Sequence, residues 1–139
     1  MFVLDTNHLR EFTSGSAIGS KLRQRMNEAS ADVVTSVITA EEALRGWMAK
    51  LASAKSPEQE VSAYRHLDRL IGTLALFVRL PWDVEASARF QSFRKSSVRI
   101  STPDLRIACI CIEHDATLLT RNRLDFAKVP GLKSENWLD

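Results

Sequence analysis

Short apolar runs alternate with stretches of helical period along the whole of this 139-residue chain, and no other feature narrows the fold so far. An apolar run of a few residues between helices reads as a strand buried on both faces, and strands separated by helices pair in parallel. FVLD opens the chain; DVVTSVI, FVRLPW and ATLLT follow as further strands, with KSENW as an edge strand. Between residues 15 and 29, Ile18, Leu22, Met26 and Ala29 recur at helical spacing, with Lys21, Arg23 and Arg25 outside. Leu44, Trp47, Met48 and Leu51 form a stripe on TAEEALRGWMAKLAS. Pro57 opens a helix that carries Val61, Tyr64, Leu67, Ile71 and Leu74 on one side. Asp83 caps a helix that ends near Lys95, and Thr102 and Pro103 start another, apolar on most sides, that ends near His114. The expectation is an α/β domain with a mainly parallel sheet, single over residues 1–139.

Composition excludes more than it selects. With 19 basic and 17 acidic residues the net charge is only +2, so the totals do not mark a polyanion binder. No stretch approaches the roughly 18 apolar residues of a membrane span. No leader pattern is visible at the start, so a cytoplasmic protein is expected. Cys109 and Cys111 are the only cysteines, and on a helix they point about 200° apart, too far to bridge. They read as small buried apolar residues in a reducing compartment.

The chemistry lies in carboxylates at element ends. In parallel α/β sheets, ligands bind in the crevice beyond the carboxyl ends of the strands. Asp5 ends the first strand, and Glu42 is expected in the first turn of the helix after the second. Asp104 stands in the first turn of the TPD helix, and Asp125 follows ATLLT in TRNRLDF. Carboxylates brought together repel, and a hard divalent cation removes the conflict. Mg²⁺ or Mn²⁺ prefers oxygen ligands, keeps several waters, and can activate one of them against a phosphodiester. Each acid also has a plainer reading. Asp5 can cap the next segment, Glu42 can close a capping box with Thr39, Asp104 can complement a helix dipole, and Asp125 can be a solvated turn acid.

Three stretches, VLDTN, TSVITAEEALRG and PDLRIACICIEHDATLLTRNRLDFAKVPGLKSENW, carry a resemblance to PIN-domain ribonucleases, most closely to the VapC-type toxins of toxin–antitoxin pairs. The resemblance implies a three-layer α/β/α domain. It implies that Asp5, Glu42, Asp104 and the more variable Asp125 hold Mg²⁺ or Mn²⁺ and serve catalysis. Thr6, Asn7, Thr120 and Asn122 would orient the acids and water. The implied activity is cleavage of single-stranded or loop RNA, blocked by a cognate antitoxin, and the implied state is a homodimer. The chain departs from the pattern in two places: Glu41 precedes Glu42, and SSVRISTP lacks the glycine often found before the third acid. Glu42 is preferred because its distances to SVIT and to Gly46 fit.

Cations near the acids, Arg99, Arg106, Arg121 and Arg123, are candidate RNA contacts. His8, near the first acid, reads as a loop residue without catalytic duty. Trp47 and Met48 read as core, or as part of a dimer or antitoxin groove. Two other readings stand beside the nuclease. One is a non-catalytic RNA- or protein-binding module on the same fold, although a binder of polyanions gains nothing from clustered acids. The other is a phosphoacceptor or phosphatase domain built on Asp5, which usually has a second acid where this chain has Asn7.

Overall fold

The first strand, β1 (Phe2–Leu4), stops where Asp5 turns out of the sheet to cap α1 (Thr6–Thr13). A computed structural model describes residues 1–139. Its remaining elements are α2 (Ala17–Glu28), β2 (Val33–Ser36), α3 (Val37–Ala52), α4 (Pro57–Leu74), β3 (Arg79–Leu80), α5 (Val84–Lys95), α6 (Thr102–Glu113), β4 (Thr117–Leu119), α7 (Arg123–Phe126) and β5 (Lys133–Glu135).

The five strands form one sheet in the order β3-β2-β1-β4-β5, every pair parallel. The chain starts in the middle strand, builds outward to β3, then returns to the other side of β1. That reversal leaves a crevice at the carboxyl end of β1, where open α/β sheets take their ligands. Strand alternation splits the core into two layers. Val3, paired in register with Val34 and Leu118, faces Leu105, Ile107 and Ile110 of α6 and Ala86 of α5. Leu4, opposite Leu119, faces Leu9 of α1, Leu22 of α2, Leu70 and Leu74 of α4, and Trp137. The result is the three-layer α/β/α architecture, with KSE as an edge strand.

α6 is the most deeply packed helix, with Leu105 and every residue from Ile107 to Cys111 buried. Both cysteines are free, and burial pushes the Cys109 thiol up to about 11 and raises that of Cys111 as well. They are inert packing groups. No helix is long and apolar enough to cross a membrane.

Three sequence expectations are corrected. TNHLREFT is a helix rather than a loop, started by the Asp5 cap and buried through His8 and Leu9. The stripe on α4 is broken: Leu74 is core, whereas Val61, Tyr64 and Ile71 are each more than half exposed. The face of α4 that packs inward carries Ala63, Leu70, Thr73 and Leu74. Met48 on α3 is likewise exposed, while Trp47 is half-buried against the His66 ring, at 4.4 Å and 16°. Gly19 has a structural duty, since a β-carbon there would collide with the carbonyl oxygen of Glu11 where α2 crosses α1.

Candidate active site

Asp5 is positioned by two donations from one residue. The backbone N–H of His8 reaches Asp5 Oδ1 at 2.9 Å, which is the cap of α1. The His8 ring bonds the same oxygen through Nδ1 at 3.0 Å. On its far side, His8 Nε2 accepts the backbone N–H of Trp137 at 3.2 Å. Because Nε2 accepts, the neutral ring carries its proton on Nδ1 and donates it to Asp5. No protein group donates to Asp5 Oδ2.

The backbone beneath Asp5 is fixed by hydroxyls of TSVIT. Thr35 Oγ1 donates to the Leu4 carbonyl at 3.1 Å and Thr39 Oγ1 to the same oxygen at 3.4 Å, while Ser36 and Thr39 share a bond at 3.0 Å. The N–H of Asp5 donates to the Leu119 carbonyl at 3.1 Å.

Glu42 stands in the second turn of α3, because the helix starts earlier than TAEE suggests. Ser36, in extended conformation, caps it by accepting the Thr39 N–H at 3.1 Å. The capping box is therefore absent. Glu42 Oε1 instead accepts from Thr6 Oγ1 at 3.0 Å, across 36 residues. Glu41 faces away and pairs with Arg45 at 2.8 Å. Asp104 occupies the first turn of α6, capped by Ser101.

Burial, then mutual repulsion, sets the electrostatics. The Glu42 carboxyl is raised above its usual range by desolvation, opposed by the Thr6 bond and reinforced by Asp104 and Asp5. Asp104 is raised by desolvation and by the charges of Asp5 and Asp125. No lysine or arginine pairs with Asp5, Glu42 or Asp104. Asp125 differs: half-exposed, it is held below the usual range by bonds from Asn122 at 2.9 Å and Lys128 at 3.4 Å.

Thr120 is buried and accepts the Asn122 N–H at 3.0 Å, so the T-x-N turn aims the Asn122 amide at Asp125. Asn7 does not touch an acid; its Oδ1 accepts from Arg10 at 2.9 Å. Of the candidate RNA-binding arginines, Arg121 pairs with Glu11 and Asp139. Arg106 lies over the rings of Trp82 and Phe90, with its Nε buried and unpartnered. Arg99 and Arg123 are exposed.

No three His, Cys, Asp or Glu side chains are gathered tightly enough to hold a metal ion in these rotamers. The donor chemistry nevertheless suits a hard cation: an all-oxygen set, buried or half-buried, with no lysine or arginine partner. His8 and the TSVIT hydroxyls are what sequence reasoning missed. The one signal for the latter was three hydroxyl residues inside an otherwise apolar strand and helix start.

No curated protein sequence matches the chain. Among solved structures, the fold is similar to DNA-bound VapBC from Salmonella typhimurium, with a TM-score of 0.77, 23% identity, and coverage of 98% of this chain and 97% of that one. It is similar to VapBC2 from Rickettsia felis bound to a promoter DNA fragment, at TM-score 0.73 and 20% identity, covering 98% of each chain. VapBC-1 from nontypeable Haemophilus influenzae aligns at TM-score 0.71 and 20% identity, covering 99% of this chain and 98% of that one. These likenesses concern the fold. The family model of the PIN domain matches residues 2–132. That span takes in each element that carries one of the acids, and the chain belongs to the PIN domain family.

Proposed function

We propose that this chain is a metal-dependent endoribonuclease, the toxin of a VapC-type toxin–antitoxin pair. One observation supports the reading: Asp5, Glu42 and Asp104 belong to separate elements, yet Asp104 and Asp5 help raise the Glu42 carboxyl and Asp5 helps raise that of Asp104, and none of the three pairs with a lysine or arginine. Nothing in folding requires such an arrangement, since unpaired half-buried carboxylates destabilise a fold. Family membership supports the reading, because PIN domains are in general nucleases that use divalent metals. The similarity to VapBC structures supports the toxin role.

Asp5, Glu42 and Asp104 would hold Mg²⁺ or Mn²⁺, with Asp125 on the outer side of the site. When bound, the ion supplies activation of water and neutralisation of the leaving oxygen. The chain's residues prepare for this by dividing their oxygens. Asp5 keeps Oδ1 on His8 and offers Oδ2; Glu42 keeps Oε1 on Thr6 and offers Oε2. Burial first, and neighbouring acids after it, make Glu42 and Asp104 hold a proton more readily than free carboxyls, so a cation would compete with protons there and its affinity should rise with pH. The proposed substrate is single-stranded or loop RNA in the cytoplasm, and the toxin is proposed to be a homodimer that a cognate antitoxin covers.

The test incubates antitoxin-free protein with total RNA in Mg²⁺, Mn²⁺ or chelator, beside Asp5→Asn, Glu42→Gln and Asp104→Asn. Discrete fragments that require metal and vanish in all three folded variants are expected. RNA binding that survives chelator, with no cutting at any metal concentration, would replace this reading with the non-catalytic module.

A further inference from the structure

A cleft of about 370 Å³ leads away from the rim between α1, α3 and α4. Glu42 stands at its mouth and is the only carboxylate that lines it, whereas Arg10, Lys50 and Arg69 line it with positive charge. None of the three takes part in any ion pair. Arg10 is held in place by a neutral group, the Asn7 amide oxygen, so its charge is oriented without being cancelled. Lys50 lies over the Trp47 ring at 5.6 Å to its centroid, within the same cleft wall, whereas Arg121 is spent on Glu11 and Asp139.

The geometry of α3 gives the cleft a direction. Glu42, Ala43, Gly46, Trp47 and Lys50 lie three or four residues apart on one face. Lys50 is therefore about 12 Å along the helix axis from Glu42, at 1.5 Å per residue. That distance is the rise of about three stacked nucleotides at 3.4 Å each. The Trp47–His66 stack gives the cleft an aromatic wall. Gly46, mid-helix, faces open space where a side chain would stand, so the room is kept at the expense of helix propensity.

Cations in a row beside an aromatic wall are how proteins hold single-stranded nucleic acid: charge tracks the phosphates and rings receive the bases. We propose that this cleft binds the single strand on one side of the cut, with its phosphates on Arg10, Lys50 and Arg69 and a base against Trp47 and His66. The inference rests on the nuclease reading above and extends it to the path of the substrate. An acidic protein segment is the competing occupant; the Trp47–His66 rings beside the cations favour the strand, whose bases they suit.

The test measures binding of a fluorescent 12-nucleotide mixed-sequence RNA to the full chain in chelator, where cutting is blocked, across a salt series. For single strands each neutralised phosphate contributes about 0.7 to the slope of log affinity against log salt. The triple variant Arg10→Gln/Lys50→Gln/Arg69→Gln should lower that slope by about 2 and weaken binding by about tenfold or more. Lys21→Gln/Arg65→Gln/Lys95→Gln removes the same charge from exposed positions outside the cleft and should leave slope and affinity near wild type. Gly46→Leu, with nothing within 4 Å of its β-carbon, should obstruct the cleft and raise KM while keeping the wild-type slope. Equal slopes in the two triple variants would overturn the inference, and so would wild-type KM in Gly46→Leu. RNA binding unchanged in the cleft variants, with antitoxin binding lost, would give the cleft to the protein partner and overturn it too. A failed nuclease reading shows differently, as absence of cutting by wild type in metal, which the chelator measurements do not depend on.

Discussion

His8→Leu tests whether the first acid is aimed by a residue that does no chemistry. The ring makes two buried bonds, from Nδ1 to Asp5 Oδ1 at 3.0 Å and from the Trp137 N–H to Nε2 at 3.2 Å. Leucine fills much of the space and makes neither. Loss of a bond to a charged acceptor costs about 1.5–3 kcal/mol, and a buried N–H left unpaired costs about 1–3 kcal/mol. The expected destabilisation is thus about 2.5–6 kcal/mol, to be set against the roughly 5–15 kcal/mol of a typical domain. His8→Asn separates the two effects, since its amide nitrogen stands close to where Nδ1 stands. It keeps a donor for Asp5 and loses only the acceptor for Trp137, at about 1–3 kcal/mol. Urea unfolding gives both stabilities, and initial rates against metal concentration give apparent metal affinity. His8→Leu should weaken metal affinity or activity by about 10–100-fold, the usual range for groups that orient ligands, and His8→Asn by far less. Equal metal dependence in wild type and His8→Leu would refute the reasoning. So would a loss in His8→Asn as large as in His8→Leu, because orientation of Asp5 would then not depend on the Nδ1 donor.

Other perturbations follow from single observations. Gly19→Ala drives a methyl into the Glu11 carbonyl, so α1 and α2 must part, and urea unfolding should show a loss of about 1–3 kcal/mol. Gly46→Ala has open space and a helical backbone, and the same assay should show a gain of about 0.5–1 kcal/mol. Asp104→Asn bears on pH. The raised carboxyl means the native state binds this proton more readily than the unfolded chain, so wild type loses stability as pH rises through the folded value. In chelator the variant should therefore have the higher Tm at about pH 7, an advantage that fades towards about pH 4, and saturating Mn²⁺ should raise the Tm of wild type more than that of the variant.

The sheet and its order of elements were legible because apolar runs and helical periods are local. VLD, TLL and the TPD helix announce themselves within a few residues. α1 did not, because TNHLREFT has too few apolar residues for a stripe and is started by Asp5, whose side chain also looked like a ligand. For Glu42 the expected first-turn position and the capping box offered as its plainer reading both give way to a second-turn position on a helix that Ser36 caps. Ser36 and Thr39 are both competent caps, and extended backbone at Ser36 decides between them. The Trp137–His8 bond spans 129 residues, and the Thr6–Glu42 bond spans 36. No spacing rule reaches that far. Nearness in sequence to an acid likewise does not say whether a basic residue's charge is already paired, and Arg121 and Arg106 are both engaged.

Capping and metal binding stood as rival readings of Asp5, but the geometry makes them compatible, because they use different oxygens. Oδ1 takes the His8 N–H and the His8 ring, and Oδ2 takes no donor from the protein. Asp5→Asn can keep its one carbonyl oxygen on His8 and turn its NH₂ to the rim, and asparagine is as good a cap as aspartate. It also removes one of the charges that raise Glu42 and Asp104, which offsets the weaker acceptor. Stability should stay within about 1 kcal/mol of wild type while metal-dependent cutting disappears. Asp5→Ala loses the cap, at about 0.5–2 kcal/mol, and strands the His8 Nδ1–H, at about 1–3 kcal/mol more. Two variants equally dead but unequal in stability, by at least about 0.5 kcal/mol on these figures, would show one carboxylate serving fold and chemistry through separate atoms. Equal stability would mean that the His8 bonds contribute nothing to holding α1, and that Asp5 is positioned by its strand alone.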